Sequence, residues 1–217
     1  MLKHYPVLCI VVVGLLISCN SNKLKITKRT HKTVEAKRST VIVDCNYSYE
    51  EAIQGSIAPH DITAQLQLIN VQYYSTDGKI HQGQLLTNKE IVQKLELIFD
   101  FMLRKKFPIA HAIPIVKYNW NDDLSMQDNN TYSFCYRNVS YSKHARGMAI
   151  DINPYFNPLR WKEGYTFRQN KPIGAKSDST VAGTFFPLNP VVLEFMRLGF
   201  KWGHYFPKKY DDHHFEI

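Results

Sequence analysis

Ser142-Lys143-His144-Ala145-Arg146-Gly147-Met148-Ala149-Ile150-Asp151 is the stretch around which the rest of the chain is read. Gly147 permits a turn, and the residues after it have the two-residue alternation of a strand. Ala149, Asp151 and Asn153 then share one face. His144 lies just ahead of that strand, so a turn that folds back brings its imidazole to the Asp151 carboxylate. Ala149 is small and leaves room beneath the meeting point. A histidine and an aspartate at this spacing are only part of a metal site.

The last residues, Asp211-Asp212-His213-His214-Phe215-Glu216-Ile217, supply the missing parts. His214 offers a third ligand, with His213 its rival. Three protein ligands and an open fourth position make a catalytic zinc site, in contrast to the closed structural type. Zinc lowers the pKa of water bound to it to about 7. Asp211 is placed to take that proton and deliver it to a leaving amine, with Asp212 the rival base. Attack on an amide builds an oxyanion, and Arg137 is the candidate cation to stabilise it beside the metal.

Outward from these segments, the pattern mixes strands and helices. Ser48 to Ile53 reads as a short helical turn that Gly55 ends, and Pro59 to Asp61 as a turn. Gln65 to Tyr74 alternates as a strand, Asp77-Gly78 marks a hairpin, and Lys79 to Leu86 returns antiparallel. Thr87-Asn88-Lys89-Glu90 has capping-box spacing ahead of an amphipathic helix reaching about Lys106, where Pro108 stops it. Ile113 to Tyr118 and Thr131 to Arg137 read as strands, and residues 119–130 as a polar loop. Residues 154–186 look like a long surface insertion. Asn189-Pro190 opens a second helix, closed by Gly199. Two strands follow, Phe200 to Phe206 and His213 to Ile217. The absence of a regular βαβ rhythm predicts an α+β fold with a largely antiparallel sheet.

Of the 217 residues, 44% are hydrophobic and 13% aromatic, enough for a sizeable core. The net charge is +8. Eight Lys/Arg against Glu35 place +7 of it in residues 1–40 and leave +1 for residues 41–217. The charge therefore belongs to a tail, and the body lacks the basic stripe that a nucleic-acid site needs.

That tail reads as an address. Lys3 and His4 precede an apolar run from Val7 to Ile17 that has the length of a signal-peptide core. The run closes on Leu16-Ile17-Ser18-Cys19, which resembles the bacterial lipoprotein box. Residues 1–18 are thus expected to be a signal peptide. Cys19 is the expected lipid-bearing residue, and residues 19–40 a flexible basic tether. Residues 41–217 are the expected domain. Export leaves Cys45 and Cys135 in an oxidising compartment, either as a disulfide or as two buried thiols.

Taken together, Ser142-x-His144-x-x-Gly147-x-Ala149-x-Asp151 and Asp211-x-x-His214-Phe215-Glu216 resemble the two-part signature of the zinc D-alanyl-D-alanine carboxypeptidases. Their relatives, the L-alanyl-D-glutamate endopeptidases, share it. Phe134 to Arg137, Asn138 to Ser142 and Asp151-Ile152-Asn153-Pro154 are similar to the endopeptidase-type branch. The resemblance spans roughly residues 65–217. It implies the fold shared with hedgehog signalling domains, a small antiparallel sheet flanked by helices. It also implies Zn²⁺ on His144, Asp151 and His214, with Asp211 as general base and Arg137 on the substrate and oxyanion. Ser142 would orient ligands or substrate. Several relatives carry Glu where this chain has Asp211, so the shorter side chain must sit closer to its water. The expectation is a membrane-anchored, exported lipoprotein that hydrolyses peptidoglycan peptides. The alternative is a non-catalytic, cell-wall peptide-binding lipoprotein on the same fold. The presence of both Asp211 and Arg137 favours the enzyme.

Overall fold

The computed structural model describes residues 40–217. The signal peptide, the tether up to Ser39 and the lipid-bearing Cys19 lie outside the described residues. The described chain enters through β1 (Ile42–Val43), which pairs in parallel with β3. Helix α1 (Tyr49–Ile53) follows, with Ser48 and Glu51 forming a reciprocal capping box that satisfies two free amides. Pro59, expected in a turn, instead starts the short helix α2 (His60–Thr63).

The longest strands are β2 (Leu66–Ser75) and β3 (Ile80–Asn88), an antiparallel hairpin closed at Asp77-Gly78. Gly78 takes the left-handed conformation there. One turn of 3₁₀ helix then leads into α3 (Val92–Lys105), and Lys106 closes it in the left-handed region just ahead of Pro108. The cap lies one residue later than the capping-box spacing suggests. Asn88, rather than Thr87, accepts the Glu90 amide. Thr87 is fully buried and bonds Ser133 Oγ at 2.8 Å and the Gly147 carbonyl at 3.1 Å. A hydroxyl committed to a buried partner cannot also cap a helix.

Strands β4 (Pro108–Ile109) and β5 (His111–Ala112) are two residues each. The expected strand over Ile113–Tyr118 is instead a 3₁₀ turn, Ile115–Tyr118. Pro114 opens it, with the Lys117 amide donating back to the Pro114 carbonyl. The polar segment after it is not all loop. Asn121 caps α4 (Asp122–Gln127), whose first turn carries Asp122 and Asp123. Six mostly polar residues are too few to display a helical stripe. Residues 130–137 keep only β6 (Asn130–Thr131) and a single bridge at Tyr132 as strand structure, with the Phe134 amide donating to the Leu86 carbonyl.

The motif strand is β7 (Ala149–Asp151). The 154–186 segment is anchored rather than loose. It contains β8 (Leu159–Trp161), and buried Asn157 donates to the Ile152, Asn153 and Gly183 carbonyls. Helix α5 (Pro190–Arg197) starts at the Asn189 cap as expected. The expected Phe200–Phe206 strand is only β9 (Lys201–Trp202), followed by a 3₁₀ turn over Gly203–Tyr205. Strand β10 (Lys209–Asp211) was not foreseen, whereas β11 (His214–Glu216) was.

The class is α+β, as expected. The strands divide among small sheets instead of forming one. A four-stranded sheet has the order β1-β3-β2-β4, with parallel pairs at both edges, and β7-β11-β9 is antiparallel. Pairs β8-β10 and β5-β6 complete the set. Helix α3 packs on β2 and α5 on α3, and the core fills the space between these helices and the motif strands. Phe215 lies at its centre, fully buried, with Phe195 stacked 3.9 Å away and Phe185 edge-on at 5.3 Å. Burying one such side chain contributes about 1.5–3 kcal/mol. That packing fixes β11, and with it the position of His214 next door.

Of the two states left open for Cys45 and Cys135, the structure has the free thiols, with Cys135 buried and Cys45 partly exposed. The Cys135 thiol faces the Trp120 carbonyl, whereas Cys45 sits just past β1 near the Gln84 backbone. Burial pushes both thiols up to about 11.

Candidate metal centre and its cleft

His144 is presented by the 3₁₀ turn His144–Arg146. Gly147 ends that turn at φ +66°, where a Cβ would meet the Asn88 amide at 2.7 Å. Both the conformation and the space therefore demand glycine. Antiparallel pairing of β7 with β11 puts His214 directly opposite Asp151. The far ends of the sequence motif thus become neighbours across one rung of a ladder.

His144 Nε2, Asp151 Oδ1 and His214 Nδ1 lie 3.0 Å from one another in all three pairings. The other ring nitrogens are already engaged. His144 Nδ1 donates to the Ser133 carbonyl at 2.6 Å, and His214 Nε2 donates to Glu216 Oε2 at 3.0 Å. With those N–H groups turned away, each neutral ring aims a lone pair at the carboxylate oxygen. Three lone pairs crowding one point repel unless a positive charge lies among them. A proton on His214 Nδ1 bridges only part of the triangle, whereas a cation at its centre satisfies all three atoms. This buried group can hold a metal ion, and its nitrogen and carboxylate donors suit zinc.

The charges agree with that reading. Burial alone would raise the Asp151 carboxyl, but His144 and His213 hold it well below the usual carboxylate range. Burial opposes charge on His214, yet the Asp151 and Glu216 carboxylates outweigh it and raise the imidazole to about 10.

Asp211, at the end of β10, shares the same cleft. Its Oδ2 takes the Lys209 ammonium at 2.7 Å. Its Oδ1 is buried and lies 3.0 Å from His213 Nε2, but accepts no well-aligned hydrogen bond. Burial raises this carboxyl, but His213, His214 and Lys209 outweigh it and keep it ionised. An ionised, under-used oxygen in the same cleft as the His144–Asp151–His214 triangle is chemically able to accept a proton.

Asp212 points elsewhere: one oxygen binds His204 Nδ1 and the other binds Arg160 Nη2, each at 2.7 Å. His213 donates from Nδ1 to the Asn157 carbonyl at 2.8 Å, and its Nε2 lies 3.7 Å from Asp151 Oδ2. It stands beside the triangle and outside it.

Arg137 lines the cleft, with Nη2 on Asp122 Oδ2 at 2.5 Å and on the Tyr132 hydroxyl at 3.3 Å. That hydroxyl also reaches Asp122 and lies 3.1 Å from Asp151 Oδ2. One chain of contacts therefore links the arginine to a metal-facing carboxylate. Ser142 is buried in the cleft wall. The cleft holds about 460 Å³.

Sequence reasoning missed the supporting residues Glu216, Tyr132, Asp122 and Lys209. Glu216 had a signal in its two-residue spacing from His214 along a strand. The others come from segments whose approach only the fold decides.

A family model described as D-alanyl-D-alanine carboxypeptidase matches residues 137–217. The match begins at Arg137 and takes in His144, Asp151, Asp211 and His214. It covers less than half of the chain. No curated protein and no solved structure matches.

Proposed function

We propose that this protein is a zinc-dependent peptidase. Its substrate is the peptidoglycan stem peptide, cut in the manner of a D-alanyl-D-alanine carboxypeptidase or an L-alanyl-D-glutamate endopeptidase. The observation that carries the reading is the triangle of His144 Nε2, Asp151 Oδ1 and His214 Nδ1, with the ionised Asp211 in the same cleft. The family-model match over these residues supports it.

When bound, zinc supplies Lewis acidity, acidifying water and polarising the scissile carbonyl. The remaining roles fall to this chain's own residues. Ser133 and Glu216 fix the tautomers of the two histidines. Asp211 accepts the proton of the attacking water at Oδ1, while Lys209 holds Oδ2 still. Water adds to the carbonyl carbon, the C–N bond breaks, and Asp211 returns the proton to the departing amine. Arg137 keeps donors free beyond those spent on Asp122 and Tyr132. Aimed at the developing oxyanion or at a substrate carboxylate, they stabilise charge that grows during the reaction.

We place the chain at the bacterial envelope, held by lipid on Cys19, on the strength of the Leu16–Cys19 pattern. Among the described residues no helix is long and apolar enough to cross a membrane.

Metal analysis of the purified protein should find about one zinc per chain. Mass spectrometry of muropeptides after incubation should show a new amine and a new carboxylate at one stem-peptide bond. Intact muropeptides with zinc fully loaded would replace the peptidase by the wall-binding alternative.

A further inference from the structure

Tyr132 stands on the opposite side of Asp151 from His214. Its amide donates to the Asp151 carbonyl at 3.2 Å, and the Asp151 amide donates back at 2.9 Å, closing an isolated antiparallel bridge. His214 faces Asp151 across the β7-β11 ladder. Tyr132, Asp151 and His214 therefore form one row across three segments, and directly opposed side chains share a face. The tyrosine is buried, and its ring lies 5.1 Å from the His144 ring. Backbone pairing and ring packing together fix where its hydroxyl lies.

That hydroxyl meets three polar groups: Asp122 Oδ1, Asp151 Oδ2 at 3.1 Å and Arg137 Nη2 at 3.3 Å. A phenol has one proton to donate and lone pairs to accept with. The arginine donates to its oxygen, and the two carboxylates compete for its proton. Asp151 Oδ2 has little else, because His213 Nε2, at 3.7 Å, is too far for a hydrogen bond. The other oxygen, Oδ1, is the one that faces His144 and His214. The two oxygens of one carboxylate are thus sorted, one toward the triangle and the other toward the phenol.

We propose that Tyr132 is a positioning residue of this centre: it holds Asp151 Oδ2 so that Oδ1 alone turns inward as a ligand, and it ties Arg137 to the same carboxylate. The proposal deepens the zinc-peptidase reading and rests on it. A carboxylate with one oxygen engaged offers a metal a single donor in a fixed direction, whereas a free one can rotate or offer both. Ring packing does not supply this. A phenylalanine would fill the same space and leave Oδ2 buried without its donor.

The test removes one oxygen atom. Tyr132→Phe in the full chain should weaken zinc binding about tenfold, read by competition with a chelator. Cobalt substituted for zinc should show a changed visible spectrum in that variant, because the ligand arrangement changes. Asp122→Asn is the control, since Asp122 touches the same hydroxyl and the same arginine but not Asp151. It should leave zinc affinity within about twofold of wild type and the cobalt spectrum unchanged. Equal losses in the two variants would mean that the cluster only stabilises the fold. Unchanged zinc affinity in Tyr132→Phe would mean that packing alone sets Asp151. Either result overturns the proposal.

The tie to Arg137 is read in a double-mutant cycle. The losses in kcat/KM from Tyr132→Phe and Arg137→Ala should combine to less than their sum in free energy. Full additivity would remove the tie. A wild-type protein that takes up no zinc would sink the peptidase reading and this proposal together. Zinc uptake that depends on the Tyr132 hydroxyl, with every muropeptide left intact, would sink only the peptidase reading.

Discussion

His214 and Glu216 form the half of the candidate metal centre that is most exposed to testing at the residue scale. The Glu216 carboxylate fixes which nitrogen of His214 faces inward. Glu216→Ala should therefore weaken zinc binding about 10- to 100-fold without removing a ligand, as read by competition with a chelator. Asp211→Asn should keep zinc at full stoichiometry and lose about 10²–10⁴ in kcat, because an amide cannot accept the proton. Retained activity in that variant would move the base elsewhere. Zinc and protons also compete for His214. With the free imidazole raised to about 10, the metal displaces a proton at pH 8. Zinc titrations in buffers of different ionisation enthalpy should show about one proton released, with affinity falling as pH falls.

At the scale of elements, two turns hold the site. Gly147 joins the His144 turn to β7 and leaves no room for a Cβ. Gly147→Ala combines a strained φ with a 2.7 Å clash against the Asn88 amide, and should cost more than about 1 kcal/mol in chemical denaturation. Gly203 is the second. A Cβ there would meet the Asp211 carbonyl oxygen at 2.6 Å and the Asp211 Cβ at 2.8 Å. Gly203→Ala should displace Asp211 and lower kcat more than it lowers zinc affinity. Elements with local signals were legible beforehand: the Asp77-Gly78 hairpin, the stripe of α3, and the Asn189-Pro190 start of α5. Strand β10 was not, since Lys209-Tyr210-Asp211 is too short to show a pattern of its own. It exists because β8 pairs with it.

For the molecule as a whole, β1 is fastened to the hairpin by charge as well as by pairing. His81 Nδ1 lies 2.8 Å from Asp44, and Nε2 lies 3.2 Å from Asp77. Burial opposes the charge on His81, but the two carboxylates outweigh it and raise its pKa. Folding therefore gains from this histidine fully below its unfolded value of about 6.5, and the gain is lost as pH rises through the higher folded value. His81→Asn should be less stable than wild type at pH 6, with the gap narrowing as pH rises, as followed by denaturant titration. Reductant should leave the melting temperature unchanged, because Cys45 and Cys135 are not joined.

The chain by itself named the candidate ligands His144, Asp151 and His214 and the candidate base Asp211, with His213 and Asp212 as rivals that the structure turns toward other partners. His144, Asp151, Asp211 and His214 are short-range facts of spacing, and residue types with distinctive donors announce themselves. It also determined the long hairpin and the two main helices, whose periodicity is local. Only the tertiary structure decided what surrounds the site. Ser133 behind His144, Asp122 and Tyr132 on Arg137, and Lys209 on Asp211 depend on which segments pack together. So does the division of the strands into several small sheets, and so does the free state of two cysteines that composition alone could have paired. The physical reason is the same in each case. Spacing along a strand or turn is set by backbone geometry, whereas contacts between distant segments are set by how the core around Phe215 closes.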